Sequence, residues 1–348
     1  MHVAVCALIL GMMMTVSSAM GQEKTWAIAI HGGASNIARD LSEEKQTVYK
    51  QGLTEALTVG QKILADGGTS LDAVEATVRV LEDNPLFNAG RGAVFNVDGF
   101  HQLDACIMDG STLACGSLAC VTRIKNPITA ARRLMETGDH NFLAGEGADE
   151  FAILQGCEEV PNSYFYSKSR FQALQAFQKQ NDLPVLTAPA YGFPDKTVSM
   201  NSPSYEAMAE VGNTVGCVAL DIHGNLASAT STGGRTGKRV GRVGDSPIVG
   251  GGTLADRQVA VSCTGTGEEF IRHRVASTIS FRVEYLHESL EQATGYCIND
   301  VLKKGDGGLI SVDKTGNISV PYNTGSMSRG VADSAGRFEV SIWEQPLP

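Results

Sequence analysis

A threonine at the abrupt start of an apolar run most constrains how this 348-residue chain can fold. Thr214 ends a loop rich in Pro, Gly and Ser over residues 184–213, and an apolar stretch begins at Val215. Residues 221–225 (Asp-Ile-His-Gly-Asn) then place Gly and Asn where a turn needs positive φ. A hydroxyl-rich run over 226–232 follows. The pattern predicts a β-hairpin whose first strand begins at Thr214.

A threonine in this position has an ordinary interpretation and a catalytic one. β-Branched residues are common at strand starts, and a threonine hydroxyl is a weak nucleophile without an adjacent base. Scission of the bond between Asn213 and Thr214 would supply that base, because the freed α-amino group has a pKa of about 7.7–8.0. For an isolated threonine the ordinary interpretation is favoured, and the surrounding motifs reverse that preference.

Seven short motifs accompany Thr214 in a fixed order. They are His31-Gly32-Gly33-Ala34, the segments 84–92 and 103–110, Gly145-Glu146-Gly147-Ala148, Thr230-Ser231-Thr232-Gly233-Gly234, and the segments 241–247 and 262–268. The set closely resembles the plant-type asparaginase and isoaspartyl peptidase family of N-terminal nucleophile hydrolases (threonine peptidases), over nearly everything from Trp26 to Gly325. The resemblance implies an α+β fold, the four-layer αββα sandwich of those hydrolases.

The resemblance also implies which residues carry the reaction. Thr214 would be the nucleophile, and Thr232 would tune its amine and hydroxyl through a hydrogen bond. Thr264 and the backbone N–H of Gly265 would face the oxyanion, where each donor is typically worth ~2.7–4 kcal/mol. Asn88 would lie near the nucleophile. Taken singly, these residues would be ordinary sheet and turn residues.

Two charged residues are implied to hold the substrate. Arg242 would bind the α-carboxylate of an aspartyl substrate through its guanidinium fork, and Asp245 would bind the α-ammonium group. Thr264 and Gly265 belong to the same binding site. By spacing alone, Arg242 and Asp245 could instead form a surface salt bridge. His31 is interpreted as structural, since the family does not use it as nucleophile or base.

The resemblance implies no required cofactor, although a loop in the family wraps a sodium ion with backbone carbonyls. The matching carbonyls here belong to Leu81, Glu82, Asn84, Phe87, Ala89 and Arg91. Backbone ligands leave no side-chain signature, so this site follows from the resemblance only. The family also implies a dimer of cleaved heterodimers.

One residue departs from the family pattern. The isoaspartyl peptidase branch usually has Gly before the nucleophile and glycosylasparaginases have Asp, whereas this chain has Asn213. Asn tolerates left-handed backbone better than most residues, so scission remains expected. The leading hypothesis is a self-cleaving threonine hydrolase that releases L-aspartate from β-aspartyl dipeptides, deamidates L-asparagine, or both. The alternatives are a glycosylasparaginase and a binding protein on the same fold that never matures.

Three segments follow from this hypothesis. Residues 1–21 combine an apolar, Met-rich run with small residues and are predicted to be a signal peptide, which implies export. Residues 22–213 and 214–348 would be the two subunits of one cleaved fold. The formal net charge of −10 argues against a nucleic acid or an anionic membrane as partner. Seven cysteines follow residue 21 without C-x-x-C spacing, which argues against a zinc or redox motif.

Hydrophobic periodicity predicts the main elements. Helices are expected over 43–64, from a capping box at 69–72, over 127–135 before Gly138, and over 268–285 and 289–302. Strands are expected over 26–30, 116–123, 214–220, 226–231 and 258–263, with a last hairpin over 309–320. That hairpin shares an Asp and a Gly-Asn turn with the one after Thr214.

Overall fold

A computed structural model describes residues 25–35, 41–193 and 214–343 of the chain. Helices and strands are mixed in these ranges, which confirms the α+β class. The predicted signal peptide and Asn213 lie outside the described residues, so the export and scission predictions stay predictions. Within the described ranges, no helix is long and apolar enough to cross a membrane.

Strands from both sides of the predicted scission site build the larger sheet. Its members are β1 (Ala27–Ser35), β2 (Leu103–Asp109), β3 (Cys115–Val121), β4 (Phe142–Ala144), β5 (Val215–Leu220), β6 (Leu226–Thr232), β11 (Ser326–Asp333) and β12 (Phe338–Ser341). Their order is β12-β11-β1-β5-β6-β2-β3-β4. All neighbouring pairs are antiparallel except β3 and β4.

A smaller sheet has the order β10-β9-β8-β7. Its strands are β7 (Thr253–Ala255), β8 (Val259–Gly265), β9 (Gly307–Asp313) and β10 (Ile318–Ser319). The helices are α1 (Glu43–Ala65), α2 (Ser70–Asp83), α3 (Pro127–Thr137), α4 (Gly145–Leu154), α5 (Lys168–Gln180), α6 (Gly267–His273), α7 (Val275–Leu286) and α8 (Leu290–Gly295).

Alternate residues of β1 pack in opposite directions, as the period of a strand requires. Ile28 and Ile30 join a buried cluster with side chains of α1, α2 and α3. Ala27 and Ala29 join a second cluster with residues of β5 and β9, where the two sheets face each other. The smaller sheet packs its other face against α6, α7 and α8. Apolar packing therefore holds the two sheets together and covers both outer faces.

Local signals set several helix ends as predicted. The Thr69 hydroxyl accepts from the Asp72 backbone N–H at 3.1 Å and caps α2. Pro127 starts α3, and Gly138 ends it with φ of +70°. The Asp221 carboxylate accepts the backbone N–H groups of His223 and Asn225 in the turn between β5 and β6. Asp313 makes the matching bonds in the later hairpin, which confirms the shared turn chemistry.

One predicted helix is wrong in its extent, and another has the predicted extent but changes type along its length. The segment 268–285 divides into α6 and α7, because Arg274 adopts a left-handed φ of +50°. The backbone N–H groups of Ala276 and Ser277 donate to the carbonyls of Gly251 and Gly250, which draws α7 onto a neighbouring loop. The segment 289–302 forms α8 and then a π-helical turn, Tyr296–Val301.

Several elements were not predicted. They are α4, α5 and the strands β2, β4, β7, β11 and β12. Each of β4, β7 and β12 has four residues or fewer, too few to carry a clear period. Strand β2 is buried on both faces, so its apolar residues run consecutively over 105–108 rather than alternating with polar ones.

Candidate active site

Thr214 directly precedes β5, in the middle of the larger sheet. The antiparallel register pairs Val215 with Ser231, which brings Thr214 beside Thr232 at the end of β6. The Thr214 hydroxyl donates to Thr232 Oγ1 at 3.1 Å, and Thr232 Oγ1 also accepts from the Gly234 backbone N–H at 2.9 Å. Thr214 is 8% exposed. The hairpin thus holds the predicted nucleophile in a fixed place at the wall of a cleft.

Asn88 lies behind the cleft and holds the loop that follows β6. Its side-chain amide donates to the Gly234 carbonyl at 2.7 Å and accepts from the Val94 backbone N–H at 2.9 Å. Its own carbonyl accepts from the Gly233 N–H at 3.0 Å. A Cβ at Gly233 would lie 2.6 Å from the Asn88 side-chain oxygen. Asn88 therefore acts on Thr232 through the loop that it braces.

His31 links the nucleophile residue to the second sheet. Its Nδ1 lies 3.0 Å from the Thr214 carbonyl oxygen, and its Nε2 lies 2.9 Å from Ser262 Oγ. Since a carbonyl oxygen only accepts, Nδ1 carries the proton and Nε2 accepts from Ser262. Burial lowers the pKa of His31 to about 3, so the ring is neutral. These contacts agree with the structural role predicted for His31.

Thr264 and Gly265 end β8 beside the cleft. Gly265 lines the cleft with φ of +149°, and a Cβ there would collide with the Asp306 carbonyl. Thr264 is fully buried, and its hydroxyl oxygen accepts from the Ala34 backbone N–H at 3.2 Å. The structure therefore places Gly265 in the wall and Thr264 one residue behind it, in contact with the His-Gly-Gly-Ala segment.

The cleft is small and partly open to solvent. Its lining consists of Thr214, Thr232, Gly234, Arg235, Arg242, Gly244, Asp245, Ser246 and Gly265. Hydroxyl, guanidinium and carboxyl groups thus converge on one space, although the residues lie up to 51 positions apart in the chain (265 − 214). This lining suits a small zwitterionic substrate.

Asp245 is buried in this cleft without full hydrogen bonding. It is 3% exposed, and its Oδ2 has no hydrogen-bond partner among the described residues. Burial raises the pKa of Asp245 to about 7, and Arg242 lowers it only in part. The Ser246 hydroxyl beside it is likewise buried without a partner in the described part of the chain. A buried polar group without a partner calls for an explanation, such as a functional role or a water molecule or ion that completes its hydrogen bonding.

Arg242 pairs with a residue that the sequence analysis did not assign. Its Nε and Nη2 donate to the two carboxylate oxygens of Glu268, at 3.1 and 3.0 Å. These bonds lower the pKa of Glu268. The surface salt bridge considered between Arg242 and Asp245 is not formed in the described residues. Glu268 uses one side of the guanidinium fork, so Nη1 on the other side remains available to a carboxylate in the cleft.

A profile of the asparaginase family matches residues 24–342. The chain belongs to this family. It is 45% identical over 309 residues to an isoaspartyl peptidase of Escherichia coli (strain K12), covering 87% of this chain and 91% of the relative. It is 39% identical over 325 residues to a probable isoaspartyl peptidase/L-asparaginase 2 of Arabidopsis thaliana, covering 92% and 99%. A Homo sapiens isoaspartyl peptidase/L-asparaginase is 38% identical over 304 residues, covering 86% and 91%.

Membership of the asparaginase family confirms the resemblance drawn from the seven motifs. The match begins at residue 24, just after the predicted signal peptide. It includes both Asn88 and the whole segment from Thr214 to Glu268, so the cleft lies entirely within the family match.

The segment predicted to wrap a cation, residues 81–91, begins in the last turn of α2 and carries Asn88. A Cβ at Gly92 would collide with the Phe87 carbonyl oxygen, and one at Gly90 would lie 2.5 Å from the Glu82 carbonyl oxygen. These two positions therefore require glycine, while the carbonyls of Leu81, Asn84 and Ala89 each accept a backbone N–H from within residues 84–92. Carbonyl oxygens are hard ligands, so they suit a hard cation.

The sequence analysis assigned no role to four residues that line the cleft, Gly234, Arg235, Gly244 and Ser246. It also assigned none to Glu268, which pairs with Arg242 behind the lining. Glu268 ends one of the seven motifs, and an acidic residue in the first turn of a helix is usually explained by the helix dipole. Its contact with Arg242 depends on the folding of α6 against the loop before β7. The cysteines were expected to be mostly buried thiols. All seven in the described ranges are free, and all of them except Cys115 and Cys157 are buried.

Proposed function

We propose that this chain is a self-cleaving threonine hydrolase that releases L-aspartate from β-aspartyl dipeptides and deamidates L-asparagine. The observation that carries the proposal is the bond between Thr214 Oγ1 and Thr232 Oγ1 in a cleft that also holds Arg242 and the incompletely bonded Asp245 carboxyl. The relatives named isoaspartyl peptidase and L-asparaginase support the same substrates.

The first step uses Thr214 as both nucleophile and base. After scission from Asn213, its neutral amine takes the hydroxyl proton as Oγ1 attacks the β-carbonyl carbon of the substrate. The carbonyl oxygen becomes an oxyanion, which the Gly265 N–H and the Thr264 hydroxyl are proposed to stabilise. Thr232 orients the attacking hydroxyl through its 3.1 Å bond.

The second step releases the amine and restores the enzyme. The protonated Thr214 amine gives its proton to the leaving nitrogen, the C–N bond breaks, and an ester joins the aspartyl group to Oγ1. The amine then deprotonates a water molecule, which attacks the ester carbonyl. The ester C–O bond breaks, the proton returns to Oγ1, and L-aspartate leaves.

Arg242 and Asp245 are proposed to fix the aspartyl group. The free side of the Arg242 guanidinium binds the α-carboxylate, while Glu268 holds the opposite side. The ionised Asp245 binds the α-ammonium group and completes its hydrogen bonding. This grip orients the β-carbonyl toward Thr214, and it excludes substrates that lack a free aspartyl α-amino or α-carboxyl group.

Direct assay of aspartate release tests the proposal. The mature protein is given a β-aspartyl dipeptide, L-asparagine and a glycoasparagine, and Thr214→Ala is compared with Thr58→Ala, an exposed threonine on α1. We expect the dipeptide and asparagine to be cleaved, Thr58→Ala to be unaffected, and Thr214→Ala to be inactive. Turnover of glycoasparagine alone would identify a glycosylasparaginase, and no turnover of any substrate would favour the binding protein.

The loop over 81–91 is proposed to bind sodium through the carbonyls of Leu81, Glu82, Asn84, Phe87, Ala89 and Arg91. The ion would hold the loop that carries Asn88 and take no part in the reaction. We expect sodium chloride to raise the unfolding temperature by about 1–3 °C over choline chloride at equal ionic strength. Gly90→Ala should lose this difference and Gly147→Ala, with open space around it, should keep it. Equal unfolding temperatures in the two salts would contradict the site.

Three broader features remain proposals. The layers of helices and sheets are proposed to form the four-layer αββα sandwich of N-terminal nucleophile hydrolases, divided into subunits 22–213 and 214–348. The protein is proposed to be exported with removal of residues 1–21, which sequencing of the secreted N-terminus tests. The mature form is proposed to be a dimer of the cleaved heterodimer, which light scattering tests.

A further inference from the structure

Arg235 is a cationic residue at the cleft that the proposed reaction does not use. It follows Gly233 and Gly234 directly after β6, and it lines the same cleft as Thr214. Its side chain is 63% exposed, compared with 16% for Arg242. Gly234 adopts φ of +81°, which turns the chain sharply between Thr232 and Arg235. Arg242 therefore lies inside the cleft, and Arg235 lies at its rim.

A single carboxylate stands between the two guanidinium groups. Glu268 Oε2 accepts from Arg242 Nη2 at 3.0 Å and lies 3.8 Å from Arg235 Nη1. The longer distance exceeds a hydrogen bond, so Glu268 bonds Arg242 and only attracts Arg235. An exposed ion pair of this kind contributes little to stability. Arg235 thus keeps hydrogen-bond donors for a further anion beside the inner site.

The two substrates in the proposed function differ in the group that reaches the rim. Arg242 and Asp245 take the α-carboxylate and α-ammonium of the aspartyl group, and Thr214 attacks the β-carbonyl. With the aspartyl group held inside the cleft in this way, a leaving group longer than ammonia would extend toward the exposed rim, where Arg235 lies. In a β-aspartyl dipeptide the leaving amino acid carries a second carboxylate, whereas the leaving group of asparagine is ammonia.

We propose that Arg235 is a specificity-determining residue that binds the C-terminal carboxylate of the leaving amino acid in β-aspartyl dipeptides. The inference rests on the proposed function, because it assigns one end of the same substrate. Glu268 gives the two arginines different roles. It holds Arg242 through two hydrogen bonds, whereas it lies 3.8 Å from Arg235 and leaves the donors of that residue for the substrate. Arg235 favours dipeptides over asparagine without touching the reacting atoms.

Three substrates isolate this contact in the mature protein. β-Aspartyl-leucine has the second carboxylate, β-aspartyl-leucinamide has a neutral amide in its place, and L-asparagine has neither. Arg235→Met removes the charge and keeps the unbranched stem. We expect kcat/KM for β-aspartyl-leucine to fall roughly three- to tenfold, mostly through KM, as for loss of a partly solvated charge pair. The values for β-aspartyl-leucinamide and asparagine should stay within about twofold.

Arg272 provides a matched control. Its side chain is also 63% exposed and pairs with Glu269 on the same helix, α6, and Arg272 does not line the cleft. Arg272→Met removes the same charge from the molecule and should leave all three substrates unaffected. Arg235→Lys should retain most of the preference for the free carboxylate. The advantage of the wild-type protein on β-aspartyl-leucine should shrink in high salt, because exposed charges are screened.

Two results would overturn the inference while leaving the proposed function intact. One is an unchanged kcat/KM for β-aspartyl-leucine in Arg235→Met, with the wild-type protein active. The other is an equal loss on β-aspartyl-leucine and on its amide, which would show a general disturbance of the cleft. Failure of the wild-type protein to release aspartate from any of the three would overturn the proposed function, and the inference with it.

Discussion

Asp245 brings a titratable carboxyl group into the cleft at a pKa close to neutrality. Burial raises its pKa to about 7, and its Oδ2 has no hydrogen-bond partner in the described ranges. Only the ionised form can bind an α-ammonium group, so protonation below this pKa opposes binding. The charge of one residue thus couples substrate affinity to pH.

We expect the affinity for L-aspartate, the product, to fall by about tenfold between pH 8 and pH 6, since a group of pKa about 7 changes from mostly ionised to mostly protonated. The charges of aspartate itself are nearly constant in this interval. Calorimetric titration of the mature protein measures the effect. Asp245→Asn should bind more weakly and lose the tenfold fall toward pH 6, although the Thr214 amine titrates in both proteins. A wild-type affinity that is independent of pH would contradict the role of Asp245.

Arg242 should affect turnover without affecting maturation, because it binds the substrate. A bond between charged groups is typically worth ~1.5–3 kcal/mol, so Arg242→Gln should lower kcat/KM on β-aspartyl dipeptides roughly 10- to 100-fold. Denaturing electrophoresis should show normal scission in the same sample. Arg239→Gln, an exposed arginine three positions earlier, is the matched control. Full activity of Arg242→Gln would refute the proposed binding of the α-carboxylate.

Some contacts of the cleft could be predicted from the sequence, and others could not. The pairing of Thr214 with Thr232 follows from hairpin register, so the sequence contains it locally. Glu268 lies 26 positions from Arg242 and reaches it only after α6 and its preceding strand have packed. Arg235 shows no pattern in sequence, since one arginine after two glycines is common in turns. Contacts of this kind depend on tertiary packing that periodicity does not encode.

At the scale of elements, β5 passes unusually close to the His31 side chain. A Cβ at Gly216 would collide with Ser262 Oγ and His31 Nε2, so the strand needs glycine at this position. His31 in turn holds the Thr214 carbonyl at 3.0 Å. The position of Thr214 relative to the second sheet therefore depends on the close packing of Gly216 against His31 and Ser262.

Gly216→Ala is expected to destabilise the protein by about 1–3 kcal/mol, the usual cost of overpacking. It should also slow the appearance of the cleaved form, because the added methyl group displaces β5 beside Thr214. Thermal unfolding and time-resolved electrophoresis measure the two effects. Gly147→Ala serves as control, since nothing surrounds a Cβ there. If Gly216→Ala matched Gly147→Ala in both unfolding temperature and rate of scission, β5 would have space for a methyl group at position 216. That result would contradict the prediction.

Long amphipathic helices were predictable, and broken or short elements were not. The stripe of Leu71, Val74, Val78 and Leu81 identified α2 because a buried face repeats at the helical period. The segment 268–285 has a continuous helical pattern, yet backbone bonds to Gly250 and Gly251 divide it at Arg274. Those bonds come from a loop that is distant in sequence, so propensity alone predicts one helix.

For the whole molecule, the order of strands in the larger sheet determines whether the two subunits would stay together after scission. Strand β1, from the first predicted subunit, lies between β11 and β5 of the second, and β6 pairs with β2. Hydrogen-bonded ladders thus join the two pieces at three strand pairs. The pieces should therefore co-elute in gel filtration and separate only in denaturant. Their separation in native buffer would contradict the one-fold description.

The central claim is that breaking the bond before Thr214 creates the catalytic amine. The most direct test is N-terminal sequencing and intact-mass measurement of the protein during maturation, with aspartate release from a β-aspartyl dipeptide assayed at each time. We predict a new N-terminus reading Thr-Val-Gly-Cys whose amount rises in proportion to activity. Full activity in a protein that remains one uncut chain would contradict the account.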